Sequence, residues 1–356
     1  MNNSKVAVIS DVHANYQALQ AVLSHAHDRG AADIWFLGDA VGYGPDPHRC
    51  LHLLEKEVNT EAWILGNHDN VIRYSPNGQP SPVENGTNNH HHLRTQTNPI
   101  THCIGTRTDT LAAFEINYDI LDAFSESRDF LLSRPETSEI DNRFFLVHGG
   151  VRSGTPTTTY TVDRVQVYEE FWRPVYKITG QVLKKLKSEN LPGDMIKKLT
   201  LLKKREFTGE HEFLGALKET IGDKEAEEHK KTIKEYSFLT HRKRFNTPTL
   251  NIFFSGHTHH PACFKGEARS DKMEFLTQAL EPGKEILLDD DHAWFLNPGS
   301  VGQPRDGDCR ASYLMLDTKA PTVQLHRVEY NIRAVQKQME RLAMPVNLIS
   351  RLSKGR

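Results

Sequence analysis

The chain has 356 residues, with 44 Lys and Arg against 46 Asp and Glu and a formal net charge of −2. That length suits one large core or two modest ones, and the near-balance of charge excludes a basic nucleic-acid coat and a polybasic membrane surface. Four scattered cysteines without a CxxC pair exclude a disulfide scaffold and a cysteine zinc knuckle, while 19 histidines stand out.

The N-terminus, MNNSKVAVIS, enters an apolar segment with neither a long hydrophobic region nor a small-residue cleavage site. No stretch is long and apolar enough to span a bilayer, so a cytoplasmic protein with reduced thiols and no membrane partner is expected. Residues 5–10 predict a buried strand, and Ala18, Leu19, Val22, Leu23 and Ala26 then follow helical spacing. A second strand over 34–37, a helix around 50–57 and a third strand over 62–65 complete a βαβαβ opening, which implies a parallel sheet covered by helices.

Residues 75–110 are rich in Asn, Pro, Gly, Thr and Ser and contain His90, His91 and His92. They predict a long surface loop with a solvated histidine run, an accessory metal site being the secondary reading. Further strands are expected over 144–147, 250–254, 293–296, 312–316 and 322–328. Residues 155–245 are helical in pattern, and 151–250 carry 20 Lys and Arg against 14 Asp and Glu. Lys184, Lys185, Lys187, Lys203, Lys204, Arg205, Arg242, Lys243 and Arg244 would suit a nucleic-acid groove. Interspersed acids and the lack of aromatic and glycine interleaving instead favour a solvated helical cap or a dimer arm. Tyr168, Phe171, Trp172 and Tyr176 lie at helical spacing around Pro174 and read as a packing stripe.

The chemistry gathers at strand ends, where open α/β sheets build their sites. Asp11-Val12-His13 follows the first strand, Gly38-Asp39 the second and Gly66-Asn67-His68-Asp69 the third; His148-Gly149 and Gly256-His257-Thr258-His259 close two later ones. Carboxylate, imidazole and amide donors without cysteine suit manganese, iron or zinc in a non-structural site. Any one motif is more often a satisfied turn or a cap than a ligand. Five in order, each closing a strand, are not, because burying so many ionisable groups without a metal is costly.

The order DxH, GD, GNHD, HG, GHTH resembles the calcineurin-like metallophosphoesterase superfamily, from Asp11 to about Gly307. The resemblance implies an α/β sandwich of two mixed β-sheets flanked by helices, with residues 1–150 and 250–330 as one core, 151–249 as a charged helical insertion and 331–356 as a C-terminal helical tail. It implies one divalent ion held by Asp11, His13 and His259, a second held by Asn67, His148 and His257, and Asp39 bridging both. Manganese is the first expectation, with iron or zinc as alternatives. Two such ions, about 3.5 to 4 Å apart, would activate a bridging water as hydroxide and neutralise phosphoryl charge during in-line attack. His68 would face the substrate, stabilising the phosphoryl group or protonating the leaving oxygen; a hydrogen bond to Asp69 or the backbone is the structural alternative.

Protein phosphatases and symmetrical dinucleoside-tetraphosphate hydrolases of this superfamily carry GDxxDRG. Here Gly42 and Tyr43 stand where its second Asp and its Arg would be. The segments GDAVGYGPDP and NPGSVGQPRDGD and the tail from Met344 to Arg356 instead resemble the YfcE-like bacterial phosphodiesterase branch, implying a small, nucleotide-like phosphoester substrate. In NPGSVGQPRDGD, Ser300 offers a hydroxyl and Arg305 a bidentate phosphate contact; a tight turn with Arg305 paired to Asp306 or Asp308 explains the sequence equally well. A nuclease, for which only the basic insertion speaks, and a non-catalytic scaffold are the other readings. A homo-oligomer through the insertion is a further expectation.

Overall fold

The computed structural model describes residues 4–79, 99–152, 155–157, 175–176, 178, 180–205, 207, 210–230, 232–233, 238–239, 251–269 and 272–356. Its strands are β1 (Lys5–Ile9), β2 (Asp33–Phe36), β3 (Thr137–Ile140), β4 (Phe144–Val147), β5 (Gly150–Arg152), β6 (Thr155–Thr157), β7 (Val175–Tyr176), β8 (Phe238–Leu239), β9 (Ile252–Ser255), β10 (Pro261–Arg269), β11 (Lys272–Gln278), β12 (Glu285–Leu287), β13 (Ala293–Pro298), β14 (Ala311–Asp317) and β15 (Thr322–Val328). One mixed sheet has the order β12-β15-β14-β1-β2, and a second the order β11-β10-β13-β9-β4-β3. β1 runs parallel to β2, and β9 runs parallel to both β4 and β13. The C-terminal ends of these strands carry all the candidate ligands except Asn67.

The alternation of β1 decides what packs on each face. Val6 and Val8 join Trp35 and Leu37 in an apolar layer with Phe144, Leu146, Ile252, Phe254 and Leu296 of the other sheet. Ala7 and Ile9 face the opposite way, with Phe36, and pack on α1 (Tyr16–Asp28) and α2 (Pro47–Glu57) through Leu19, Val22, Leu51 and Leu54. Full burial of side chains such as Phe254 or Leu19 contributes about 1.5–3 kcal/mol each. α1 begins at Asn15, whose side-chain oxygen accepts the Ala18 amide at 3.1 Å while its Nδ2 donates to the Gly302 carbonyl at 2.9 Å. One cap therefore fixes the start of the helix and ties the chain just after His13 to a loop 287 residues away.

The structure corrects two expectations. Residues 62–65 form no strand: Thr60–Ala62 is a 3-10 turn capped by Asn59, and only Trp63 bridges Phe36. The Ile64 amide donates to Phe36, but the Leu65 amide turns away to Pro135, so no ladder propagates. Within the expected loop over 75–110, Pro99–Ile104 and the start of Thr108–Asp122 are helical. His90 to His92 lie outside the described residues, as do Tyr168, Phe171, Trp172 and Arg242 to Arg244.

The described chain divides into two compact units. The first is Met1–Val167, Asn251–Gly266 and Leu276–Arg356, and the second is Tyr168–Leu250 with Glu267–Phe275. The helices Ile332–Arg341 and Val346–Leu352 belong to the first, where Val335, Met339, Leu348 and Leu352 form a buried cluster with Tyr43 and Ala113. The second has its own core, including Val182, Leu186, Leu199, Phe213, Leu217 and Ile233, and Lys184, Lys185 and Lys187 lie exposed on its surface.

Candidate metal centre

Short loops following the parallel strands bring the five motifs together. The Asp11 amide donates to Gly38 at 3.0 Å and the His13 amide to Asp39 at 3.0 Å, so the first two loops run as one hydrogen-bonded pair. The Gly256 amide donates to His148 at 3.0 Å and the Gly302 amide to Asp11 at 2.9 Å, which stitches on the remaining loops. Asp11, His13, Asp39, His257 and His259 all have positive φ, of 53°, 45°, 60°, 67° and 58°. A non-glycine residue held there costs on the order of 1–3 kcal/mol, and such strain clusters where function requires a fixed side-chain direction.

Those directions converge. Asp11, His13 and His259 form one donor group and Asp39, His148 and His257 another, the donor atoms of each lying within 4.8 Å of one another, and all six residues are buried. His259 Nε2 stands 3.2 Å from Asp11 Oδ1 and 3.0 Å from His13 Nε2. Asp39 Oδ2 lies 3.2 Å from His148 Nε2 and 3.7 Å from His13 Nε2, between the two groups. Asn67 joins the second group: its Nδ2 donates outward to the Cys103 carbonyl at 3.0 Å, which turns Oδ1 inward, 2.9 Å from His257 Nδ1 and 3.2 Å from His148 Nε2.

The tautomers follow from the outer partners. His13 Nδ1 lies 2.9 Å from the Val41 carbonyl, His148 Nδ1 2.7 Å from Leu37 and His259 Nδ1 2.6 Å from Gln303. A carbonyl can only accept, so each Nδ1 carries its proton and each Nε2 of the neutral ring presents a lone pair to the cluster. Burial holds His13 and His259 well below the usual imidazole range and lowers His257 to about 4; the Arg305 guanidinium acts in the same sense on His257 and His259. Burial opposes the charge of Asp39, but the histidines, His148 first, hold its carboxyl well below its ordinary value. Burial also opposes a charge on His148, yet Asp39 and Asp11 carry that imidazole up to about 10. A charged Asp39, the Nε2 lone pairs of His13 and His259 and an inward amide oxygen match the donor chemistry of a borderline divalent metal, which would displace the His148 proton on binding.

His68 is buried beside this cluster. Its ring lies 4.9 Å from that of His13 and 4.6 Å from that of Tyr43, and its backbone amide donates to Asp39 Oδ1 at 2.8 Å. Burial lowers His68 to about 4, so the free protein holds a neutral ring. Gly42, at φ +104°, makes room for it: a Cβ there would stand 2.6 Å from His68 Nδ1 and 3.0 Å from His13 Nδ1. Asp69 accepts the amides of Asp39, Ala40, Val41 and Gly66 at 2.8 to 3.3 Å, so it builds the loop under Asp39. Burial and the Asp39 charge push Asp69 up to about 7, while the Gly66 and Val41 amides act in the opposite sense.

The loop after β13 differs from its expectation at Ser300. That hydroxyl is fully buried, donating to the Asp11 carbonyl at 2.8 Å and accepting the Gln303 amide at 2.8 Å, so it braces the Asp11 turn. Arg305 donates to Gln303 Oε1 at 2.8 Å and lies over Tyr43, its carbon 5.4 Å from the ring centre. Asp306 binds Arg327 and Asp308 binds Arg310. Gln303, whose carbonyl accepts from His259 Nδ1, and Asn117 carried no signal of their own in the sequence. Asn117 supports the loop over His68, accepting the Gly42 amide and donating to Gly44, each at 2.9 Å.

Two stacked mixed sheets with a histidine and carboxylate cluster at their strand ends define a metallophosphoesterase, and the comparisons agree. The profile of the calcineurin-like phosphoesterases matches residues 4–261, and the chain belongs to that family; it is a hydrolase of phosphoric esters. An uncharacterized protein of Methanocaldococcus jannaschii is 28% identical over 357 residues, spanning 100% of both chains. The crystal structure of a metallophosphoesterase from Sphaerobacter thermophilus superposes with a TM-score of 0.57 at 26% identity over 100% of both chains. A symmetrical bis(5'-nucleosyl)-tetraphosphatase of Photorhabdus laumondii is 35% identical over 63 residues, 17% of this chain and 23% of that protein.

Proposed function

We propose that this protein hydrolyses a small phosphoester at a dinuclear centre, one divalent ion held by Asp11, His13 and His259, the other by Asn67, His148 and His257, with Asp39 between them. The observation that carries the reading is the tautomer pattern: three imidazoles with Nδ1 tied to backbone carbonyls aim Nε2 at two buried carboxylates. Bound there, two metals supply an activated water and neutralise charge on the phosphoryl oxygens. The protein holds the donors in place on strained turns, so little reorganisation is needed on loading. His68, neutral and beside Asp39 and His13, donates a hydrogen bond to a phosphoryl or leaving oxygen. Manganese is the proposed ion. The local similarity to a dinucleoside tetraphosphatase supports a nucleotide-like substrate. Four free cysteines, and the lack among the described residues of a helix able to cross a membrane, support a cytoplasmic setting.

The test is a manganese-supplemented panel of p-nitrophenyl phosphate, bis-p-nitrophenyl phosphate, cyclic nucleotides, dinucleoside polyphosphates and single-stranded DNA. Hydrolysis of at least one small ester, abolished by chelation and restored by manganese, is expected. Failure on every ester with metal bound overturns the reading, and cleavage of DNA alone turns it to a nuclease.

A further inference from the structure

Among the described residues the ring of His68 makes no hydrogen bond, so its direction is set by what packs on it. Three surfaces do so: the His13 ring edge-on at 4.9 Å and 85°, the Tyr43 ring at 4.6 Å and 51°, and the Gly42 backbone, where a Cβ would stand 2.6 Å from His68 Nδ1. Two of the three belong to one turn. The Gly44 amide donates to the Gly42 carbonyl, closing a three-residue turn centred on Tyr43. Its flanks are pinned to the Asp11 loop: His13 Nδ1 donates to the Val41 carbonyl at 2.9 Å, and the Asp46 amide donates to Ala14 at 3.0 Å. Glycine at both ends admits the close approach, since a Cβ on Gly44 would stand 2.3 Å from the His13 carbonyl oxygen, but it also gives the turn more conformational freedom than its neighbours have.

Asn117 removes that freedom. It lies fully buried on the helix Thr108–Asp122, on the face that carries Ala113, Phe114 and Leu121. Its Oδ1 accepts the Gly42 amide and its Nδ2 donates to the Gly44 carbonyl, each at 2.9 Å, so one side-chain amide spans both ends of the turn. Gly42 and Gly44 are themselves buried, and without Asn117 each would leave a polar group shielded from water without that partner. We propose that Asn117 is a positioning residue for His68, acting through the Gly42–Gly44 turn to hold the imidazole beside His13 and Asp39. This rests on the reading of His68 as the donor to a phosphoryl or leaving oxygen and adds to it the residue that sets the ring's direction.

The test is a double-mutant cycle on manganese-loaded protein, with the best ester of the panel as substrate. Asn117→Ala should lower kcat roughly tenfold or more, with KM within about twofold and metal content at the wild-type level. In the His68→Ala background the same substitution should change kcat by less than about twofold, because the ring it directs is gone. A residue that only supports the fold or the metal loops acts whether or not His68 is present, so equal losses in both backgrounds, or loss of metal in Asn117→Ala, overturn the proposal. Should the alanine variant not fold, the cycle runs with Asn117→Asp, which keeps the size and the acceptor for Gly42 but, as a carboxylate, has no donor for Gly44. Histidine ring signals in NMR spectra of the zinc-loaded protein read the setting of His68 without turnover. The His68 signal, assigned by its loss in His68→Ala, should move in Asn117→Ala, and an unmoved signal overturns the positioning role. Absence of ester hydrolysis in the wild type is a separate readout and bears on the parent reading only.

Discussion

Asp39→Asn is expected to lower kcat/KM by roughly a thousandfold or more, with the loss of at least one metal per chain. The substitution keeps the volume of the side chain and an oxygen able to accept the His68 amide, now 2.8 Å from Asp39 Oδ1. What it removes is the negative charge facing His148 at 3.2 Å and His13 at 3.7 Å. On the proposed dinuclear reading, losing several kcal/mol of electrostatic stabilisation corresponds to about the factor stated. Elemental analysis of the purified variant beside kinetics separates metal loss from a catalytic defect. A variant with full metal content and near-wild-type rates would remove Asp39 from the bridging position.

His68→Ala should behave differently: turnover falls by about a hundredfold or more while metal content stays at the wild-type level. The expectation follows from geometry. His68 is buried against His13, Tyr43 and Gly42. Its backbone amide, which the substitution retains, still meets Asp39. Because the ring is neutral in the free protein, the loss should appear mainly in kcat, as an interaction strengthened in the transition state. Equal activity in the variant would make His68 a packing residue.

Much of the donor cluster was legible because each motif is local: a few residues closing an apolar strand can be recognised wherever they lie, from Asp11 to His259. What lay between the motifs was less so. Residues 62–65 are as apolar as a strand, yet their hydrogen bonds depend on Pro135, seventy residues on in the chain. The helix Thr108–Asp122 buries Thr110 and Asn117 along with Ala113, Phe114 and Leu121, and polar residues on a core face blur the apolar spacing that would reveal it. Ser300 looked like an offered hydroxyl because composition cannot tell a loop's inside from its outside; the buried bond to Asp11 can. The support that Gln303 gives His259 had no local signal, since only folding brings the two together.

The proposed function turns on where metal binds. Crystals grown with manganese and measured near its absorption edge should show two anomalous peaks, one among Asp11, His13 and His259 and the other among Asn67, His148 and His257, with Asp39 touching both. A single peak, or peaks away from these residues at full manganese occupancy, would contradict it.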